Sequence, residues 1–246
     1  MPDLRFTHPR LAQIYDALEP DRPDLDAYVE LVVELGAHTV LDIGCGTGTF
    51  ACRLAQYGLH VTGLDPAQAS LDVARLKPGA EKVHWILGSA TALPQMVVDV
   101  VTMTGNVAQV FVAEEDWNST LHIVRQALGP EGRFIFETRN PARKAWTLWS
   151  RQQSYRRVII DGVGPVEKWD EVQQAHDGLV SFRTTFVFEH DGAVMTSEST
   201  LRFRDRSEIA DSLQAAGLAV EEVRDAPDRP GLEFVFIARA GITRPN

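Results

Sequence analysis

The chain has 246 residues, 44% hydrophobic and 24% charged, and a formal net charge of −10 at pH 7. This length and composition suit a soluble globular enzyme built as one large α/β domain with an insertion, or as two small domains. The acidic balance argues against nucleic acid as the main partner. Cys45 and Cys52 form no CxxC or Cys/His cluster, so neither a metal centre nor a disulfide framework is expected.

In chain order, residues 1–35 read as an amphipathic helical cap. Leu11, Ile14, Tyr15 and Leu18, then Tyr28, Leu31, Val32 and Leu35, fall at helical spacing, and Pro20 and Pro23 break the run between them. The opening MPDLRFTHPR has no apolar signal core and no run approaches membrane-spanning length, so the chain reads as cytoplasmic with no membrane partner. Strands and helices then alternate. Strands are expected at Val40–Ile43, Val61–Leu64, Val83–Leu87, Val97–Met103 and Arg133–Glu137, with helices at Phe50–Tyr57, Ala67–Leu76 and Glu114–Leu128. Near-continuous Val/Ile/Leu strands alternating with helices predict a parallel sheet covered on both faces.

After Pro141 the pattern changes. Asp-Gly pairs at 161–162, 177–178 and 191–192 lie between β-prone runs, the strongest short-range hairpin signal. In LVSFRTTFVFEH, period two places Val180, Phe182, Phe186 and Phe188 on one face, so a small antiparallel meander is expected from Tyr155 to Phe203. A helix over Ser207–Ala216 follows, with Ser207 as N-cap and Gly217 as its end. Strands at Ala219–Arg224 and Glu233–Ala238 come next, and the GITRPN tail is expected to fray.

The loop Gly44-Cys45-Gly46-Thr47-Gly48 follows the first strand, which carries Asp42. A dinucleotide fingerprint wants glycine at positions one, three and six, whereas this chain has Gly44, Gly46 and Thr49. No Gly-Lys-Ser/Thr follows, so it is not a P-loop. Asp65 ends the second strand, where an acid can accept both hydroxyls of a ribose. Together these residues ask for a nucleoside with a zwitterionic or cationic tail rather than a pyrophosphate, and S-adenosylmethionine fits.

VLDIGCGTGTF resembles motif I of the class I S-adenosylmethionine-dependent methyltransferases, and VTGLDPA resembles their second motif. GSATALP, VDVVTMTGNVAQVF and LGPEGRFIFE are similar to the later ones, so residues 10–140 carry most of the resemblance. It implies a Rossmann-like, mostly parallel seven-stranded sheet with helices on both faces, here with an antiparallel β insert, and S-adenosylmethionine as cofactor. It also implies that Gly44, Cys45 and Gly46 approach the methionine part, with Asp42 holding the loop and, indirectly, the amino group. By the same resemblance Asp65 binds the ribose, Pro66 packs on adenine, and Ser89 and Ala90 meet the adenine edge. Ser89 stands where the family often has an acid. Thr104 and Gly105 face the methionine end, and Tyr15 covers the cofactor.

The implied domains are 1–140 with 204–246 for the cofactor, and 141–203 as an inserted unit covering the substrate. The implied reaction is methyl transfer to a nitrogen or oxygen of a small-molecule acceptor, by a monomer or homodimer. Asn106 and Gln109 are the candidates after the fourth strand. Gln109 stands near a loop position where some amino-sugar N-methyltransferases carry a histidine. From Arg139 to Arg157 basic residues interleave with aromatics and no acid, so Arg143 and Trp146 are candidates for the substrate wall, against the plainer reading of buried tryptophans and solvated charges. Two rival readings are an S-adenosylmethionine-binding protein without methyl transfer or with other transfer chemistry, and, disfavoured by Thr49, an NAD-dependent oxidoreductase.

Overall fold

The computed structural model describes residues 2–19 and 22–241, so Pro20 and the tail after Gly241 lie outside the described residues. Two helices lead in, α1 (Leu4–Thr7) and α2 (Pro9–Leu18). Pro9 sits in the first turn of α2, where its missing N–H leaves nothing unsatisfied, and the His8 ring accepts the Arg10 N–H as a cap. α3 (Asp24–Glu34) starts directly after Pro23, with Asp24 and Asp26 in its first turn.

The alternating region follows as β1 (Thr39–Ile43), α4 (Thr49–Gln56), β2 (His60–Asp65), α5 (Gln68–Ala74), β3 (Val83–Leu87), β4 (Val98–Met103), α6 (Glu114–Ala127) and β5 (Leu128–Arg139). A short helix α7 (Arg151–Ser154) leads into β6 (Arg156–Ile160), β7 (Gly164–His176), β8 (Leu179–Phe188) and β9 (Ala193–Arg202). α8 (Arg206–Ala215), β10 (Leu218–Asp225) and β11 (Glu233–Ala240) close the described chain.

Seven strands form one sheet in the order β10-β11-β5-β4-β1-β2-β3, with β11 alone running against its neighbours. This is the expected fold class. Both faces are buried: Leu41, Met103, Phe134 and Phe136 pack with α6 and α8, while Val40, Val61, Val100 and Ile135 pack with α3 and α4. Two-sided burial is why these strands read as unbroken apolar runs. Strand order reverses between β1 and β4, which opens a crevice beyond the carboxyl ends of the strands.

The second sheet is the meander β6-β7-β8-β9, and each of its three turns falls at an expected Asp-Gly pair. At Asp177-Gly178 both residues adopt positive φ, +50° and +74°, which lets the turn follow the strand twist. The face carrying Phe186 and Phe188 packs on Leu11, Ile14 and Leu18, so α2 lies against the small sheet. The N-cap of α8 is Asp205 rather than Ser207. Asp205 accepts the Ser207 and Glu208 N–H groups while Glu208 accepts the Asp205 N–H, a capping box that outcompetes a lone serine. Among the described residues no helix is long and apolar enough to cross a membrane.

Candidate active site

The glycine loop leaves β1 at the crevice, and its three glycines serve different ends. All three have positive φ. A Cβ on Gly44 would stand 2.6 Å from Val107, and one on Gly48 2.5 Å from the Trp85 ring, so these two permit close packing. A Cβ on Gly46 would meet no atom within 4 Å, so this residue offers bare backbone to open space. The Gly44 and Cys45 N–H groups donate to the Leu64 carbonyl at 2.8 and 3.1 Å. Asp65, at the end of β2, binds on one oxygen the Gly46 N–H and on the other the Ala67 N–H, both at 2.8 Å. Burial raises the Asp65 carboxyl above its ordinary range, against the pull of these two amides.

Asp42 does not hold the loop. It faces Thr102 across the β1–β4 pairing and accepts that hydroxyl at 2.8 Å, while its second oxygen is buried with no partner among the described residues. Burial pushes its carboxyl up to about 7, the Thr102 hydrogen bond opposing and Asp65 adding to the rise. Between the ordinary value of 3.8 and about 7 the folded chain keeps a proton that the unfolded chain has lost, so stability falls as pH rises through that window. Asp42→Asn therefore melts increasingly above the wild type as pH rises from 4 to 7. The expected gain is several degrees, at roughly 2–4 °C per kcal/mol for a chain this size. Parallel melting curves across that range would refute the assignment.

Above the loop lies one continuous cavity of about 1140 Å³. Of the residues expected to bind cofactor, Gly44, Cys45, Gly46, Asp65 and Pro66 line it from the glycine loop and the end of β2. Ser89, Ala90, Thr104 and Gly105 line it from the segments after β3 and β4, and Tyr15 does so from α2. Burial raises the Cys45 thiol well above its ordinary value, so it stays protonated and acts as a packing residue.

The rest of the lining was not anticipated residue by residue. α6 contributes Asp116, Ser119 and Thr120, whose i, i+3, i+4 spacing was a readable sign of one polar face. Gln173 and Gln174 of β7, Ser181 and Phe182 of β8, and Glu198, Ser199 and Thr200 of β9 complete it with Asp3, which accepts the Ser199 hydroxyl. No local signal marks these strand residues, because strand period reports a face and not what that face covers.

The four candidates for the substrate side do not line the cavity. Asn106, in the left-handed region at φ 63°, is buried, and its side-chain amide donates to Glu233 at 3.1 Å. Gln109 is fully buried and accepts Arg139 at 2.9 Å. Behind them the buried Glu137 accepts the Gly105 N–H at 2.6 Å, the Asn106 N–H at 3.2 Å and the Tyr28 hydroxyl. Arg143 donates to the Gly231 carbonyl at 3.0 Å, and Trp146 packs edge-on against Phe203. Trp149 stands one layer back, against the cavity residue Phe182. Of the remaining basic residues, Arg151 lies over Trp169, Arg156 pairs with Glu19 at 3.8 Å, and Arg157 pairs with Glu189. Trp146 and Trp149 are thus half-buried against aromatic neighbours, while Arg143, Lys144, Arg151, Arg156 and Arg157 stay exposed.

Residues 40–132 match the methyltransferase domain family. The chain is 32% identical over 136 residues to a ubiquinone biosynthesis O-methyltransferase of Salmonella paratyphi A, covering 53% of this chain and 54% of that one. It therefore spans about half the length of the curated relatives it matches. Among solved structures it is similar to an S-adenosylmethionine-dependent methyltransferase from Clostridium acetobutylicum, with TM-score 0.77, 20% identity and coverage of 94% and 98% of the two chains. It also resembles a sugar N-methyltransferase from Streptoalloteichus, with TM-score 0.71, 16% identity and coverage of 91% and 92%. At these identities the structural likeness speaks for the fold.

Proposed function

We propose that the chain, whose residues 40–132 match the methyltransferase domain family, is a class I S-adenosylmethionine-dependent methyltransferase that binds S-adenosylmethionine at the glycine-loop end of the cavity. There it transfers a methyl group to a small polar acceptor held at the other end. The observation that carries this reading is the cavity itself. At about 1140 Å³ it exceeds the roughly 300–1,000 Å³ typical of a single-ligand site, and residues of the glycine loop, α6 and the small sheet line it together. A protein that only bound the cofactor would need no room beyond it.

The glycine-loop end suits the cofactor. Gly46 leaves room for a ligand against backbone, and Asp65 keeps lone pairs free beyond the two amides it holds. Pro66 and Ala90 offer apolar contact for a base, with the Ser89 hydroxyl at its edge. When bound, S-adenosylmethionine supplies a methyl group already activated on a sulfonium. The chain's own part is alignment and exclusion of water. Phe6 and Tyr15 of the N-terminal helices line the cavity, as do β7, β8 and β9 of the small sheet, on which α1 rests. Residues 1–140 with 204–246 thus serve as the cofactor domain, and 141–203 as the unit that covers the acceptor, in a cytoplasmic enzyme.

The acceptor end is rich in hydroxyls, amides and carboxylates. Arg22 is the one lysine or arginine among the lining residues, and Asp24 already holds its guanidinium bidentately at 2.9 and 2.8 Å. This wall suits a polyhydroxylated acceptor that is neutral or cationic. Burial raises the Asp3 carboxyl, against the Ser199 hydrogen bond, which makes it a better proton acceptor than an ordinary carboxylate. A carboxylate of that kind can take the proton of an ammonium far more readily than that of an alcohol, so an amine is the favoured nucleophile. The test is incubation with methyl-labelled S-adenosylmethionine and paired amino and hydroxy sugars. The expected outcome is label on the amine and release of S-adenosylhomocysteine. Cofactor binding with no transfer to any acceptor would leave a binding protein, and a preference for NAD would end the methyltransferase reading.

A further inference from the structure

We propose that Asp16 is a positioning residue for the cofactor: with Thr47, Thr49 and Lys77 it latches α2 onto the glycine loop and so holds Tyr15 over that end of the cavity. The proposal rests on the reading of this end as a nucleoside cofactor site. Four elements meet at the cluster. One Asp16 oxygen accepts the Thr47 hydroxyl at 2.6 Å and the Thr49 hydroxyl at 3.3 Å, and the other pairs with the Lys77 ammonium at 2.6 Å. Lys77 also donates to the Thr49 hydroxyl at 2.7 Å. Thr47 is buried inside the loop itself, between Gly46 and Gly48, and Thr49 is the first residue of α4.

Thr49 is the residue that breaks the dinucleotide pattern, since glycine stands there in that fingerprint. A glycine could join no such cluster, and the threonine hydroxyl both donates and accepts within it. Elsewhere α2 lies between α5 and the small sheet. Its apolar face packs on Phe186 and Phe188, and Arg10 lies 3.6 Å over the Phe188 ring and pairs with Asp191 at 2.9 Å. The Asp16 cluster is thus the polar joint between that unit and the loop, helped by the Ser70 hydroxyl donating to the Phe6 carbonyl at 3.0 Å. At 37% exposure of its side chain, Asp16 gains little stability from an ion pair. What the cluster does is fix two parts that must both face one ligand, because Tyr15 is its neighbour in sequence and Gly46 is next to Thr47.

The test is binding of S-adenosylhomocysteine by calorimetry and stopped flow, with hydrogen exchange followed over residues 2–18, in Asp16→Ala, Asp16→Asn and Thr49→Gly. Asp16→Ala should weaken binding about tenfold, chiefly through faster dissociation, since a hydrogen bond to a charged group is lost. Amide exchange in α2 should rise while that of β6–β9 stays put. Asp16→Asn keeps an acceptor for Thr47 and should fall between the two. Unchanged dissociation alongside a lowered melting temperature would make the cluster merely structural and overturn the proposal, as would unchanged exchange in α2. A wild type that does not bind S-adenosylhomocysteine at all would instead refute the cofactor reading, and the exchange contrast would still decide whether the latch exists.

Discussion

Gly46→Val yields a folded protein that binds neither S-adenosylmethionine nor S-adenosylhomocysteine. The residue has φ +54°, and a β-branched side chain there costs roughly 1–3 kcal/mol of backbone strain, which a domain of this size survives. The added atoms meet nothing in the protein, because a Cβ at this position has no neighbour within 4 Å. They project instead into the space that a ligand lying on the loop backbone must use. Gly48→Ala is the matched control. Its Cβ would stand 2.5 Å from Trp85 and 2.8 Å from Ala74, so it should lower the melting temperature through packing. Circular dichroism with calorimetry separates the two. Retained affinity in Gly46→Val would show that the ligand lies elsewhere, and loss of its fold would show that Gly46 is structural.

Asp65→Ala has the second large effect, a loss of about a hundredfold in cofactor affinity. Two contributions add. The carboxylate organises the loop by accepting the Gly46 and Ala67 N–H groups, and its remaining lone pairs receive the ribose hydroxyls in the proposed complex. Losing hydrogen bonds to a buried charge costs about 1.5–3 kcal/mol each, and the two parts share one side chain, so about 3 kcal/mol in total is expected. Asp65→Asn should fall between, because its amide nitrogen turns a donor toward one of the two backbone N–H groups. Since burial raises the Asp65 carboxyl, affinity should also weaken on acidification earlier than for an ordinary aspartate. Calorimetry giving unchanged affinity for Asp65→Ala would remove this residue from the site.

The departures from expectation have a common origin. Arg143 and Trp146 were candidates because a run of basic and aromatic residues can face a ligand, but in the fold the Gly231 carbonyl and Phe203 take them up. Asn106 and Gln109 follow β4 as expected, yet they turn inward to Glu233 and Arg139, residues far away in the chain. The Tyr28–Glu137 bond spans 109 positions and the Asp3–Ser199 bond spans 196. No local pattern of residue types encodes such partners.

What the sequence determined by itself is whatever local backbone chemistry decides. The parallel strands followed from unbroken apolar runs, the three hairpins from Asp-Gly pairs, and the positive-φ loop from Gly44, Gly46 and Gly48. Each depends on φ preferences or on a side-chain period set within a few residues. The tertiary structure alone decided which polar side chains share the cavity and which are consumed in buried pairs. It brought Asp16 to Thr47, gathered polar residues of α6 and the small sheet around the cavity that the glycine loop also lines, and left one Asp42 oxygen unpartnered among the described residues. Period assigns a residue to a face, but which surface meets that face depends on strand order and helix packing summed over the whole chain.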